Sequence, residues 1–311
     1  MLPRAYGTLN HSNPEGKVLI MDMRKPITTA KLRKMKEDGI PISVMTAYDY
    51  PTAMLAEEAG IDVILVGDSL GNVVLGYDST VPVTLDDMIY HSRAVTRAVR
   101  TSFVVTDLPF NTYHGSIDAS LRNAGRIMQE GLAKAVKMEG GAEIAPTVEA
   151  LVQAGIPVMA HLGLTPQSIH QIGGYKIQGK TAAQAQKLLD DAKALEQAGA
   201  FSIVLELVTD QVAAHLTSKL SIPTIGIGAG KDCDGQVLVF HDALGYGSDI
   251  HPKRFVKTYG NVGEMIRSGL HQYVDDVKQR SFPGTEHSFR MDDEVAESLY
   301  GGGIPVSAHR E

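Results

Sequence analysis

The run Val63–Gly71, VILVGDSLG, decides how the rest of the chain is read. Four apolar, mostly β-branched residues lead straight into Gly67, Asp68 and Ser69, as a strand buried on both faces does when it ends in a polar turn. The same phrase recurs along the chain. FVVTDLPF sets Asp107 at the end of an apolar run, AVKMEGG sets Lys137 and Glu139, VMAHLG sets His161, and SIVLELV sets Glu206. Ionisable residues placed where buried strands give out point to a parallel α/β barrel, whose active site is assembled from the carboxyl ends of several strands.

Working outward, a helical stretch repeatedly ends in Gly just before an apolar run: EEAGIDVILVGD, QEGLAKAVKMEGG, QAGIPVMAHLG and EQAGAFSIVLEL. Gly60, Gly131, Gly155 and Gly199 fit the left-handed residue that stops a helix before the next strand. Strands are expected near 43–48, 63–67, 103–106, 135–138, 158–161, 202–205, 224–227 and 236–240, and eight such strands close a (βα)8 TIM barrel. Apolar residues at helical spacing mark helices over Leu85–Val99, Asp118–Gln129, Ile144–Ala154, Ala182–Ala198 and Gln211–Leu220. A shorter helix capped by Thr28 or Thr29 is expected to run through Lys36. Between the last two strands, GAGKDCDG leaves little room for a helix. Val262–Val277 reads as a closing amphipathic helix. The expected organisation is an N-terminal arm over 1–25, a catalytic barrel over 26–283 and a polar tail over 284–311 that is either flexible or a partner-binding arm.

A chain of 311 residues, 43% hydrophobic and 21% charged, is ample for a large core. A net charge of −7 with no basic run argues against nucleic acid or an anionic membrane as partner and leaves a small-molecule enzyme as the default. The lone Cys233 excludes an internal disulfide and suits a reducing compartment. No apolar run approaches the ~20 residues that span a bilayer. A cytoplasmic protein is expected.

Alternation along a strand puts Lys137 and Glu139 on one face. Asp68 and Asp107 end neighbouring strands, so Asp68, Asp107 and Glu139 are expected to converge. Three such acids repel, and one or two take up a proton unless a cation neutralises them. Oxygen donors without a Cys or His pair beside them favour Mg2+ over zinc. Taken singly, each acid is equally well a helix cap or an Arg partner; three on strand ends favour a metal site. Lys137 either holds a substrate carboxylate or acts as a Schiff-base nucleophile, and a neighbouring divalent cation favours the first. His161 either orients substrate and moves a proton or is a structural hydrogen bonder. Glu206, flanked by SIVL and LV, is expected to be a buried acid, costly without a partner and well placed to serve as a base. GIGAG at Gly226–Gly230 is either a phosphate cradle or a tight turn.

The motifs MTAYDYPTA, LVGDSLGNVVLGYDSTVPVT, DLPF, VKMEGG, HLGLTPQS, GGYKIQGK, IPTIGIGAG, DGQVLVFHD and PGTEHSF follow one another over Thr29–Phe289. In this order the chain resembles the 3-methyl-2-oxobutanoate hydroxymethyltransferases, also called ketopantoate hydroxymethyltransferases. The resemblance implies a (βα)8 barrel that assembles into homo-oligomers, commonly decamers. It also implies transfer of a one-carbon unit from 5,10-methylenetetrahydrofolate to 3-methyl-2-oxobutanoate, giving 2-dehydropantoate in the first step of pantothenate synthesis. By the same resemblance Asp68, Asp107 and Glu139 bind one Mg2+ per subunit, Asp68, Ser69, Asp107 and Lys137 contact the keto acid, and Glu206 accepts the proton. Two other classes fit the bare residues: another Mg2+-dependent barrel lyase or aldolase acting on a 2-oxo acid, which would not need folate, and an idle scaffold, whose mark would be loss of an acid or of Glu206.

Overall fold

The structure, a computed structural model, describes residues 24–247 and 253–301. The expected arm over 1–25 and the last ten residues of the tail therefore lie almost wholly outside the described residues. Eight parallel strands close a barrel in chain order: β1 (Ile42–Thr46), β2 (Val63–Val66), β3 (Phe103–Asp107), β4 (Ala135–Glu139), β5 (Val158–Gly163), β6 (Ser202–Glu206), β7 (Thr224–Ile227) and β8 (Gly235–Leu238), with β8 paired back to β1. Around them run α1 (Thr29–Glu37), α2 (Tyr50–Glu58), α3 (Leu70–Val73), α4 (Leu85–Ala98), α5 (Ile117–Glu130), α6 (Ala145–Gln153), α7 (Ile169–Ile172), α8 (Ala182–Gln197) and α9 (Asp210–Lys219). No helix joins β7 to β8. There Gly230 is pressed against Asp210, and Gln236 donates to the Gly230 carbonyl at 2.9 Å, which makes GIGAG a tightly packed turn.

The two faces of each strand separate into two layers. Val44, Val63, Leu65, Phe103, Val105, Ala135, Met159, Val204, Ile225 and Val237 pack together inside the barrel. Val136, Met138, Val158, Ala160, Leu162, Ile203 and Leu205 face outward and pack with buried residues of α5, α6, α8 and α9. Both faces of the wall are thus dry, which is why these strands read as continuous apolar runs.

The amino ends of the strands are held by carboxylates. Asp62 accepts from the Ser43 amide and hydroxyl, Glu57 from the amides of Thr101 and Ser102, Glu196 from those of Ser221 and Ile222, and Asp234 from that of Thr224. Each satisfies backbone donors near the start of a strand that would otherwise go unpaired. Lys36 adds an ion pair to Asp234 at 2.7 Å. Cys233 is half-buried against the outer layer, with burial pushing its thiol pKa up, and makes no disulfide.

One local expectation is corrected. Gly60, Gly155 and Gly199 have positive φ, but Gly131 does not, and the left-handed residue there is Leu132 at φ 61°. Gly131 is required for a different reason, since a Cβ would sit 2.6 Å from the Ile127 carbonyl oxygen and 3.0 Å from the Ser92 hydroxyl. Ser92 also donates to the Gly131 carbonyl at 2.9 Å, tying α4 to the end of α5. The tail contains a helix within its described part.

The described residues fall into two compact units, the barrel ending at Val239 and a second unit beginning at Phe240. The second unit contains α10 (Phe240–Leu244), α11 (Val262–Gln279) and α12 (Asp293–Tyr300). α11 ends at Arg280, which is left-handed at φ 58°. Its apolar residues Met265, Ile266, Leu270, Tyr273, Val274 and Val277 are exposed. No helix among the described residues is long and apolar enough to cross a membrane.

Candidate active site

Alternation carries five charged side chains into the barrel mouth. Asp107 follows Phe103 and Val105 on the inward face of β3, Lys137 and Glu139 follow Ala135 on β4, His161 follows Met159 on β5, and Glu206 follows Val204 on β6. Strand pairing then sets neighbours side by side, Asp107 with Lys137 and Glu139 with His161. Asp68 arrives differently. It lies in the turn after β2, where its main-chain N–H donates to Asp107 Oδ2 at 3.0 Å. Gly67 makes this turn fit, because a Cβ there would meet Ser69 Oγ at 2.8 Å and approach Asp107 Oδ2. Ser69, half-buried, shares a 2.8 Å hydrogen bond with the Tyr48 hydroxyl.

Asp68, Asp107, Lys137, Glu139 and His161 are each no more than 4% exposed. From Asp107 onward they alternate in sign. Lys137 Nζ lies 2.8 Å from Asp107 Oδ1, His161 Nδ1 lies 3.4 Å from Glu139 Oε1, and His161 Nε2 lies 3.4 Å from Glu206 Oε2. Both histidine contacts are ion-pair rather than hydrogen-bond distances, and neither ring nitrogen has a hydrogen-bond partner. Burial works against every charge in this cluster, and the neighbours decide the outcome. Burial lowers the Lys137 pKa, but the carboxylates of Asp107, Glu139 and Asp68 outweigh it and push the pKa up. Burial also opposes His161, yet Glu139 and Glu206 bring it up to about 9. Glu139 is held below its ordinary value, against burial, by His161 and Lys137. Asp68 goes the other way, driven well up by burial and by the carboxylates of Asp107 and Glu139.

Glu206 differs from the expectation of full burial. Its side chain is 14% exposed, and it has a partner in His161. Its main chain is tightly fixed. Gly163, at φ 96°, leaves no room for a side chain, which would run into the Glu206 carbonyl oxygen; that oxygen accepts from the Leu164 amide at 2.8 Å. The next residue, Leu207, is left-handed at φ 48°, an uncommon state for a branched side chain, and is held by hydrogen bonds to Gln178 and Ile227.

Sequence reasoning missed Gln167 and Tyr113, both buried. Gln167 donates from its side chain to Asp68 Oδ2 at 2.8 Å and from its main chain to Glu139 Oε2 at 3.0 Å; its Oε1 accepts from the Tyr113 hydroxyl at 2.8 Å. Only the polar ending of HLGLTPQS hinted at such a role. Beside the cluster lies a cavity of about 250 Å³, lined by His114, Glu139, Glu143, Gln178, Lys187 and Asp191 among others. Of the clustered charges, Glu139 alone reaches it.

Residues 26–285 match the family model described as ketopantoate hydroxymethyltransferase. The chain belongs to the ketopantoate hydroxymethyltransferase family. It is 58% identical over 269 residues to the 3-methyl-2-oxobutanoate hydroxymethyltransferase of Geobacillus sp. (strain WCH70), covering 86% of this chain and 96% of that protein. With the enzyme of the same name from Carboxydothermus hydrogenoformans it shares 57% identity over 274 residues, 88% of this chain and 99% of the relative. Solved structures show how widely the fold of these hydroxymethyltransferases is shared. Phosphonopyruvate hydrolase in complex with oxalate and Mg++ superimposes with a TM-score of 0.53 at 16% identity, over 88% of this chain and 95% of the other. 2,3-Dimethylmalate lyase, a PEP mutase/isocitrate lyase superfamily member, gives 0.53 at 16% identity over 89% and 93%. At this identity the likeness shows the fold alone.

Proposed function

We propose that this enzyme transfers a hydroxymethyl group to 3-methyl-2-oxobutanoate from 5,10-methylenetetrahydrofolate, giving 2-dehydropantoate, the first step of pantothenate biosynthesis, in the cytoplasm. The observation that carries the reading is the buried cluster of alternating acids and bases at the carboxyl ends of β2 to β6, in a chain of this family.

The residues present suit Mg2+. Asp107 Oδ1 is a buried oxygen that pairs with Lys137 Nζ at 2.8 Å and keeps lone-pair capacity for a cation. Of the described residues, Lys137 and His161 are the cations paired with Asp68, Asp107, Glu139 and Glu206, so with all six charged two negative charges are left for a divalent ion. Among the described residues no group of three or more His, Cys, Asp and Glu forms a ready metal cage. Mg2+ does not demand one, since it is commonly held by one or two carboxylates, with water and substrate completing its octahedron. Asp68 and Asp107 would hold the ion, with Glu139 as the third acid of the set. When bound, the ion would polarise the keto group as a Lewis acid and stabilise the negative charge that builds on its oxygen.

The chain's own residues do the rest. Lys137, with Ser69 beside Asp68, is placed to orient the carboxylate of the keto acid. Its pairing with Asp107 keeps it an ammonium, which favours this role over Schiff-base attack. Glu206 removes the proton at C3, and His161 behind it holds the carboxylate in place. Water adds to the methylene carbon of the donor as its two C–N bonds break, which frees tetrahydrofolate and leaves the carbon at the formaldehyde level; the electron-rich C3 attacks that carbon, and the proton held by Glu206 passes to the new alkoxide to give the hydroxymethyl group. The cavity beside Glu139 gives a bulky donor room to approach.

A product assay with the keto acid, the folate donor and added Mg2+ tests the reading. The expected result is 2-dehydropantoate that disappears with a chelator and returns with Mg2+. Full activity in excess chelator would remove the metal from the reading. Product formed with free formaldehyde but never with methylenetetrahydrofolate would make the enzyme an aldolase.

A further inference from the structure

We infer that Gln167 is a positioning residue that sets Asp68 and Glu139 at a fixed separation for a divalent cation, with Tyr113 locking the direction of its amide. The inference rests on the metal reading above. Gln167 lies in the loop after β5 and touches acids from two other elements, the turn after β2 and the end of β4.

The hydrogen bonds fix which way the amide points. The Tyr113 hydroxyl has one proton to give. Two acceptors lie within its reach, Gln167 Oε1 at 2.8 Å and the Glu139 carbonyl at 3.1 Å, the glutamine being the nearer, and its oxygen accepts the Glu139 N–H at 3.1 Å. Gln167 Nε2 then faces two acceptors, Asp68 Oδ2 at 2.8 Å and the Leu108 carbonyl at 3.0 Å. Turning the amide over would set its oxygen against both acceptors and its NH2 group against the tyrosine hydroxyl, losing the donation to Asp68. At 3% exposure, water cannot make up the loss.

The choice of a neutral donor matters. An Arg or Lys in this place would neutralise Asp68 and compete with the metal. An amide steadies the carboxylate and leaves its charge available for a cation. The main-chain N–H of the same residue does likewise for Glu139. One rigid residue therefore prepares two acids before any ion arrives.

Titration with Mn2+, followed by electron paramagnetic resonance on the protein without substrates, tests this directly. Gln167→Met, of similar length but with no amide, is expected to weaken Mn2+ binding about 10–100-fold, with thermal unfolding recorded alongside to confirm that it folds. Tyr113→Phe leaves the glutamine in place but unlatches its amide, and a smaller loss of several-fold is expected. If Gln167→Met fails to fold, Tyr113→Phe answers the question alone. Wild-type Mn2+ affinity in the folded variants would overturn the inference. No Mn2+ uptake by the wild-type protein would instead overturn the metal reading, and the inference with it.

Discussion

Glu206 and His161 are a pair in which each partner has a distinct consequence. If Glu206 is the base, Glu206→Gln keeps the shape of the side chain and removes its basicity. Keto-acid binding should survive within a few-fold while turnover falls by about a hundredfold or more, the usual weight of a positioned base. In heavy water without folate, exchange of the C3 proton followed by NMR should be lost in this variant. An exchange rate equal to wild type would move the role to His161. Asp107→Asn should behave otherwise, losing divalent-ion affinity together with exchange. The convergence of these groups was legible because strand parity alone aims Asp107, Lys137, Glu139, His161 and Glu206 inward. The way they share charge was not. Lys137 with Asp107, and His161 between Glu139 and Glu206, supply cations that the sequence argument had sought only in a metal. Gln167 escaped notice because its role comes from a loop folding back over two distant strand ends, which no periodicity encodes.

At the scale of elements, carboxylates at the amino ends of the strands fasten the barrel and take no part in the chemistry at its mouth. Glu57 at the end of α2 is the clearest case. Burial raises its pKa, but hydrogen bonds from Thr101 and Ser102 outweigh this and bring it down to about 2, against 4.5 unperturbed. The stabilisation is fully present above pH 4.5 and is lost as pH falls from there through about 2. Because Glu57 is partly solvated, the contribution is on the order of 1 kcal/mol. Glu57→Gln should unfold a few degrees lower than wild type at neutral pH, with the gap closing toward pH 2 in calorimetric scans. A gap independent of pH would exclude ionisation as the cause. The strands were readable to within a residue or two at most ends, since runs such as VILV and FVVT are dry on both faces. What resisted reading depended on neighbours. At Gly131 the glycine answers to crowding by Ile127 and Ser92, while Leu132 makes the left-handed turn. α12 lies in a stretch that composition left as either a flexible tail or a partner-binding arm.

For the molecule as a whole, we propose a closed homo-oligomer, the decamer being the form that the family resemblance implies. The exposed apolar residues of α11 suit burial against a second copy. Sedimentation at micromolar concentration should show one large species, and a monomer would contradict the proposal. The packed interior of the barrel has a further consequence. Val44, Leu65, Val105, Ala135, Met159, Val204, Ile225 and Val237 fill the space inside the wall, so the site has a floor and no rear exit. Traffic through such a site is last in, first out. If the reaction is the one proposed, the keto acid, seated on groups almost closed to solvent, would have to enter before the larger donor covers it, and the new hydroxy acid would have to wait until tetrahydrofolate has gone. Steady-state kinetics should therefore be ordered, with 2-dehydropantoate competing against the keto acid and not against the folate donor. A random-order pattern in product inhibition would mean that the donor leaves a side passage open, and the cavity beside Glu139 is where it would run.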